Sequence, residues 1–182
     1  QVEGIVLKGI DTSFFWEDFE KNIIAGKKII LPDTQAGKDI LISSTLSKKL
    51  NIKVGDKVRT YFVQDPPMQR SFTVSGIFET GLPEFDEKYA LVDLRHVQKL
   101  NQWNSNMIGG IEILIYDYDK IDEIGEIVNN SIGYKLKAET IKQIYPEIFE
   151  WIALFDTNVI VLLIITIFVC SITMVSTFFI VV

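Results

Sequence analysis

The chain has 182 residues, 48% of them hydrophobic, and a formal net charge of −6. That length holds one ordinary domain plus a membrane segment, or one larger soluble domain. An acidic balance with no run of basic residues argues against a nucleic-acid partner, and the lone Cys170 excludes an intramolecular disulfide and a cysteine-based structural metal site.

The opening residues QVEGIVLKGI read as a strand entered in mid-run, with neither an initiator Met nor a signal peptide. The last residues lie inside an apolar run, so the expectation is a segment of a longer protein. Residues 14–24 place Phe15, Phe19, Ile23 and Ile24 at helical spacing, and Asp11 or Thr12 is the expected cap. Residues 29–32 and 40–42 predict short strands. Ser43 or Ser44 then opens a helix to Leu50, and residues 51–56 turn the chain. The clearest hairpin pairs 57–64 with 71–80, through Val58, Tyr61 and Val63 against Phe72, Val74 and Ile77. Its connection is Asp65, Pro66, Pro67, Met68, Gln69 and Arg70.

A strand is expected at 89–92, and Asp93 caps a helix ending at Leu100. A further strand is expected at 111–115, then a helix over 120–132 with the stripe Ile121, Ile124, Ile127, Val128, and a strand at 134–138. Ile141, Ile144, Tyr145, Ile148, Ile152, Phe155 and Val159 follow steps of three and four. They predict either a stalk helix over 141–158 running on into the apolar tail, Pro146 lying in its first turn or so, or a separate amphipathic helix packed on the domain.

From 159 to 182 there is no charge, no Pro and no Gly. As a helix this stretch reaches about 36 Å, more than the roughly 30 Å of a bilayer's hydrocarbon core. Thr166, Ser171, Thr173, Ser176 and Thr177 interrupt it only with hydroxyls that can bond back to a helix carbonyl, and Cys170 reads as a small apolar or lipid-facing residue. Trp151 and Phe155 stand just before it, where aromatic rings favour the headgroup region. The expected fold class is α+β: a mixed extracytoplasmic domain of two subdomains over 1–140, a stalk over 141–158 and one transmembrane helix over 159–182.

Candidate chemistry is sparse. His96, the single histidine, lies in a polar helical stretch and suits a surface or half-buried helical role. Asp117, Asp119, Asp122 and Glu123 lack the glycine and bidentate glutamate of a calcium loop and suit a helix N-terminus. Glu79, Glu84, Asp86 and Glu87 flank the turn Gly81-Leu82-Pro83 and read as solvated. Gly26-Lys27-Lys28 and Gly37-Lys38-Asp39 lack the upstream glycine and the hydroxyl of a phosphate-binding loop. Asn129-Asn130-Ser131 matches a glycosylation acceptor, a motif too short to carry weight. No catalytic residue, cofactor or metal site is expected, and the chain reads as a non-enzyme.

Several segments together resemble one family. Val2 to Asp11, ending in G-I-D, and the stretch from Ile42 to Val58 with its leucine-ended helix and Gly55-Asp56, are similar to segments of the periplasmic domain of FtsX/MacB-type permeases of ABC transporters. Phe72 to Gly81 resembles F-x-V-x-G-I-F-E-T-G of the lipoprotein-releasing, LolC/LolE-like branch, and Phe85-Asp86, residues 89–94 and Gly110 to Ile113 resemble later segments of the same domain. The resemblance implies a MacB-like periplasmic core followed by the second transmembrane helix of an inner-membrane permease, with residues 1 to about 155 outside the cytoplasm. It implies a separate cytoplasmic ABC ATPase, a second permease subunit in a homo- or heterodimer, contact with membrane lipid, and no nucleic acid. Ile144, Ile148, Ile152 and Phe155 would lie on the stalk that transmits motion. Asp65 to Arg70 occupies the place of a hairpin arm that recruits a soluble periplasmic carrier protein; it is shorter, and an ordinary turn is the alternative. Cargo would be a lipoprotein or another amphipathic molecule. An FtsX-like regulator of cell-wall hydrolases and a membrane-anchored adhesin or sensor stand as alternatives.

Overall fold

A computed structural model describes residues 2–63 and 66–181. The chain forms two compact units, Gln1–Ile111 and Glu112–Val182.

Among the described residues the first unit holds a six-stranded mixed sheet. Its strands are β1 (Val6–Ile10), β2 (Ile23–Gly26), β3 (Asp39–Ser43), β4 (Lys57–Phe62), β5 (Met68–Phe78) and β6 (Tyr89–Asp93), in the order β1-β6-β3-β5-β2, with β4 also on β5. β1 is parallel to β6 and β3 to β5, while β6 is antiparallel to β3, and β2 and β4 are antiparallel to β5. The centre is the β3–β6 pair. Ile40, Leu41, Ala90, Leu91 and Val92 are all fully buried, as an unbroken apolar run requires when both faces of a strand are covered.

One face carries Ile40, Ile42, Phe72, Val74, Ala90 and Val92, capped by Leu46 of α2 (Ser44–Leu50) and Val97 of α4 (Leu94–Leu100). The other carries Leu41, Leu91 and Phe78, with Phe14, Trp16 and Phe19 around α1 (Trp16–Phe19), Ile29, and Phe85 of α3 (Pro83–Lys88). Burying each of these large side chains stabilises the fold by about 1.5–3 kcal/mol. β5 serves both faces because its register against β3 slips by one residue. Ile40 pairs with Val74 but Leu41 with Gly76, leaving Ser75 as an extra residue. Before the bulge Phe72 and Val74 face the first cluster; after it Ile77 does, and Phe78 turns to the second.

Local chemistry sets the ends of the helices. Ser43 caps α2 by accepting from the Leu46 amide at 3.1 Å, and Asn51 closes it with φ +53°. Asp93 caps α4 as expected. The helix expected over 14–24 is four residues long. Asp11 accepts from the amide and hydroxyl of Ser13 in a local turn instead, and Ile23 and Ile24 leave the helix to pair β2 with β5. Residues 29–32 form no strand. Ile29 is buried in the second cluster, and Pro32 has no amide to give to a ladder.

The second unit contains α5 (Ile121–Ser131), α6 (Ile141–Ile144) and α7 (Pro146–Val181). Ile121 is buried and Ile124 and Val128 half-buried, whereas Ile127 of the expected stripe is exposed. A capping box from Thr140 and Gln143 starts α6, and Lys142 reaches Asp122 at 2.8 Å and lies over the Tyr118 ring. Tyr118 stacks on Phe149 of α7. The strands expected at 111–115 and 134–138 are not formed, since β-formers without a neighbouring strand have no ladder to complete.

A Cβ on Gly76 would lie 2.7 Å from the Lys27 carbonyl oxygen and 2.9 Å from both the Ala25 oxygen and Leu41 Cδ2, so β2 packs there only because no side chain intervenes. Gly76→Ala is expected to destabilise the first unit by about 1–3 kcal/mol, whereas Gly4→Ala, with nothing within 4 Å, leaves it unchanged. Thermal unfolding of the detergent-solubilised chain, followed by tryptophan fluorescence, checks both.

Candidate functional site

Three features beyond the core bear on function: the β4–β5 ribbon, a cleft beside α4, and the long helix α7. The ribbon arises because β5 outruns its sheet neighbours. β3 and β2 pair only with residues from Thr73 onward, while Met68 to Ser71 pair with β4 alone. Met68, Gln69 and Arg70, expected in the connection, are strand residues opposite Phe62, Tyr61 and Thr60. The connection is accordingly shorter. Pro66 and Pro67 in it are exposed, Met68 is half-buried, and Asp65 lies outside the described residues. Tyr61 and Val63 expose apolar surface on the same ribbon.

The cleft has a volume of 670 Å³ and lies between the loop 34–38, the base of the ribbon and the outer side of α4. Its lining includes Lys38, Arg70, Arg95, His96, Lys99 and Trp103 and contains no carboxylate. The loop has no regular structure and is held by side chains of β6 and α4. Asp93, 2% exposed, accepts from the Arg95 amide at 2.9 Å and from the Gly37 amide at 2.9 Å. The Arg95 guanidinium grips the same carboxylate with two bonds, at 2.9 and 2.6 Å, and donates to the Pro32 carbonyl at 2.6 Å. His96 donates from Nε2 to the Gly37 carbonyl at 2.7 Å, and its ring makes a T-shaped contact with Phe72. A carbonyl can only accept, so Nε2 carries a proton.

On the far wall the amide of Trp103 donates to Gln98 O at 2.8 Å, and the buried Gln98 side chain donates to the carbonyls of Ser105 and Met107. Spacing in the sequence gave no sign that Lys38, Arg70 and Lys99 share one cleft. Only the capping pattern at Asp93 was a legible part of it.

Of the carboxylates around the Gly81 turn, Glu84 and Glu87 are exposed, as a solvated turn requires, while Asp86 and Glu79 are held by hydrogen bonds. Asp86, 4% exposed, accepts from the Thr80 amide and hydroxyl and from the Gly81 amide, and its carbonyl accepts from the Ser43 hydroxyl. Glu79 accepts from the Ser44 hydroxyl at 2.9 Å. Both serve to tie the turn to α2. In the second unit Asp117 accepts from the Asp119 amide and pairs with Lys120 at 3.6 Å.

α7 begins at Pro146 rather than at Ile141. Tyr145 has φ −125° and ψ 60°, outside helical geometry, as the residue before a proline tends to be. Ile144 is thus on α6, while Ile148, Ile152 and Phe155 are on α7; Ile148 is half-buried and the other three are exposed. Residues Asn158–Ile180 make a 23-residue apolar span long enough to cross a membrane, and none of that span is buried. All five hydroxyls bond to the carbonyl four residues back, at 2.5–2.9 Å, so the span presents few unsatisfied polar groups to lipid.

No family model matches the chain. Over 88 residues it is 32% identical to the lipoprotein-releasing system transmembrane protein LolC of Xylella fastidiosa strain Temecula1, and equally to that of strain 9a5c. The match covers 44% of this chain, which spans about a fifth of the length of those relatives. It agrees with the permease resemblance carried by the motifs.

Burial pushes the Asp93 carboxyl up, but the hydrogen bonds from the Arg95 side chain, the Gly37 and Arg95 amides and the guanidinium charge outweigh it, holding the group below its ordinary range. A depressed carboxyl contributes stability above its unfolded value of about 3.9, and loses it as pH falls through the folded value. Asp93→Asn is therefore expected to cost roughly 1–3 kcal/mol near neutral pH. The gap in unfolding midpoint between variant and wild type should close as pH drops below about 4.

Proposed function

We propose that this chain is part of a permease subunit of an ABC transporter of the lipoprotein-releasing type, lying in the bacterial inner membrane with residues 1 to about 155 on the extracytoplasmic side. The 88-residue similarity to a lipoprotein-releasing transmembrane protein carries this reading, and the exposed apolar span Asn158–Ile180 supports it. In it the chain is non-catalytic. A cytoplasmic ABC ATPase hydrolyses nucleotide, a second permease subunit completes the pair, and the cargo is a lipoprotein or another amphipathic molecule.

Helix α7 suits transmission. It runs unbroken from before the apolar span to its end, so a displacement at one end moves the other rather than being absorbed by a bend. Ile148, Ile152 and Phe155 lie at helical spacing on its first turns. They are the residues we assign to the stalk face, where a second permease subunit or a moving helix would bear. The ribbon is the proposed docking point for a soluble carrier protein, through exposed Pro66 and Pro67 and half-buried Met68.

Purification of the full-length protein from its own membranes in mild detergent tests the reading. A stoichiometric partner carrying a Walker A motif is expected, with Ile152→Pro leaving ATP hydrolysis in the complex but lowering cargo release. An intact full-length protein that reproducibly lacks an ATPase partner sinks the transporter reading, and unchanged release by the proline variant sinks the role of the stalk.

A further inference from the structure

We propose that the cleft beside α4 is a binding site for a phosphate group, with Lys38, Arg70 and Lys99 supplying the charge and Trp103 an aromatic wall. The chain as a whole is acidic, with a net charge of −6, yet four cationic side chains line this one cleft with no carboxylate among its lining residues. Arg95 is committed to Asp93 and to the carbonyls of residues 32 and 33. The other three form no ion pair among the described residues, and Lys38 and Lys99 are exposed. Such uncompensated like charges repel one another, and an anion of more than one oxygen relieves that repulsion. A guanidinium fork and two ammonium groups lining one cleft suit the several acceptor oxygens of a phosphate.

The cleft is also built before any ligand arrives. The loop bearing Lys38 is pinned by Asp93, Arg95 and His96, Arg70 is held in the ladder opposite Thr60, and Trp103 is fixed through Gln98. Binding then costs little ordering of the backbone that forms the walls. The same chemistry would take a free phosphate or the phosphate of a lipid headgroup, the apolar part of the lipid lying against Trp103. A phosphate site here does not depend on the transporter reading and requires no ATPase.

The test uses the full chain in a neutral detergent, with binding read by isothermal titration and by tryptophan fluorescence. The probes are inorganic phosphate, dihexanoyl phosphatidylglycerol and dihexanoyl phosphatidylcholine, the lipids kept below micelle-forming concentrations. Saturable binding of a phosphate probe is expected, weakened by raised salt and lowered about tenfold or more by Arg70→Gln and by a Lys38→Gln, Lys99→Gln pair. Removal of these three side chains leaves the core untouched, and an unchanged unfolding midpoint verifies that the variants fold. Binding of inorganic phosphate assigns a free anion; binding of phosphatidylglycerol alone assigns a headgroup. The proposal is overturned if neither inorganic phosphate nor phosphatidylglycerol saturates, or if their binding is the same in the variants. It is equally overturned if both lipids bind alike without regard to the variants.

Discussion

β5 must satisfy three neighbours and two cores with a single run of eleven residues. A regular strand alternates strictly, so it cannot hand Phe72 and Val74 to one face and Phe78 to the other while keeping parity. The extra residue at Ser75 breaks the alternation once, at the point where Gly76 lets β2 approach to backbone contact. Both halves of the first unit depend on that break. The C-terminal half of β5 completes the sheet, and the N-terminal half is released to pair with β4 in a ribbon beyond β3 and β2.

A second dependence runs through one buried carboxylate. Asp93 ends a strand, caps a helix, binds a glycine amide 56 residues away and anchors a guanidinium. Those bonds replace the secondary structure that residues 32–37 lack, and so shape a wall of the basic cleft. The cleft's free charge and its rigidity have different sources: the side chains of Lys38, Arg70 and Lys99 line it with no ion pair among the described residues, while those of Asp93, Arg95 and His96 hold its loop in place.

α7 obeys a simpler rule. Where no water is present every backbone polar group must be bonded within the segment, and a helix does this alone. The hydroxyls follow the same rule by bonding four residues back. Ahead of the span the rule relaxes. Pro146 imposes a break at Tyr145, so the stripe of apolar residues from Ile141 to Val159 is shared between two helices and is not one continuous rod.

What residue order alone determined is what depends on near neighbours. The apolar span, the helix opened at Ser43 or Ser44, the cap Asp93, the strands at 40–42 and 89–92, a helix near 120–132 and a hairpin of 57–64 with 71–80 were all legible, within a few residues of the observed bounds, because periodicity and capping act locally. Tertiary structure decided whatever needs a distant partner. Ile23 and Ile24 became a strand because β5 offered an edge, residues 111–115 and 134–138 formed no strand, and Met68 to Arg70 joined β5 because β4 lay opposite. Nor could spacing reveal the cleft, whose basic residues come from positions 38, 70 and 95–99 and meet only once the sheet has folded. A β-ladder and a charged cleft are both contacts between remote segments, and their geometry exists only when the chain has closed on itself.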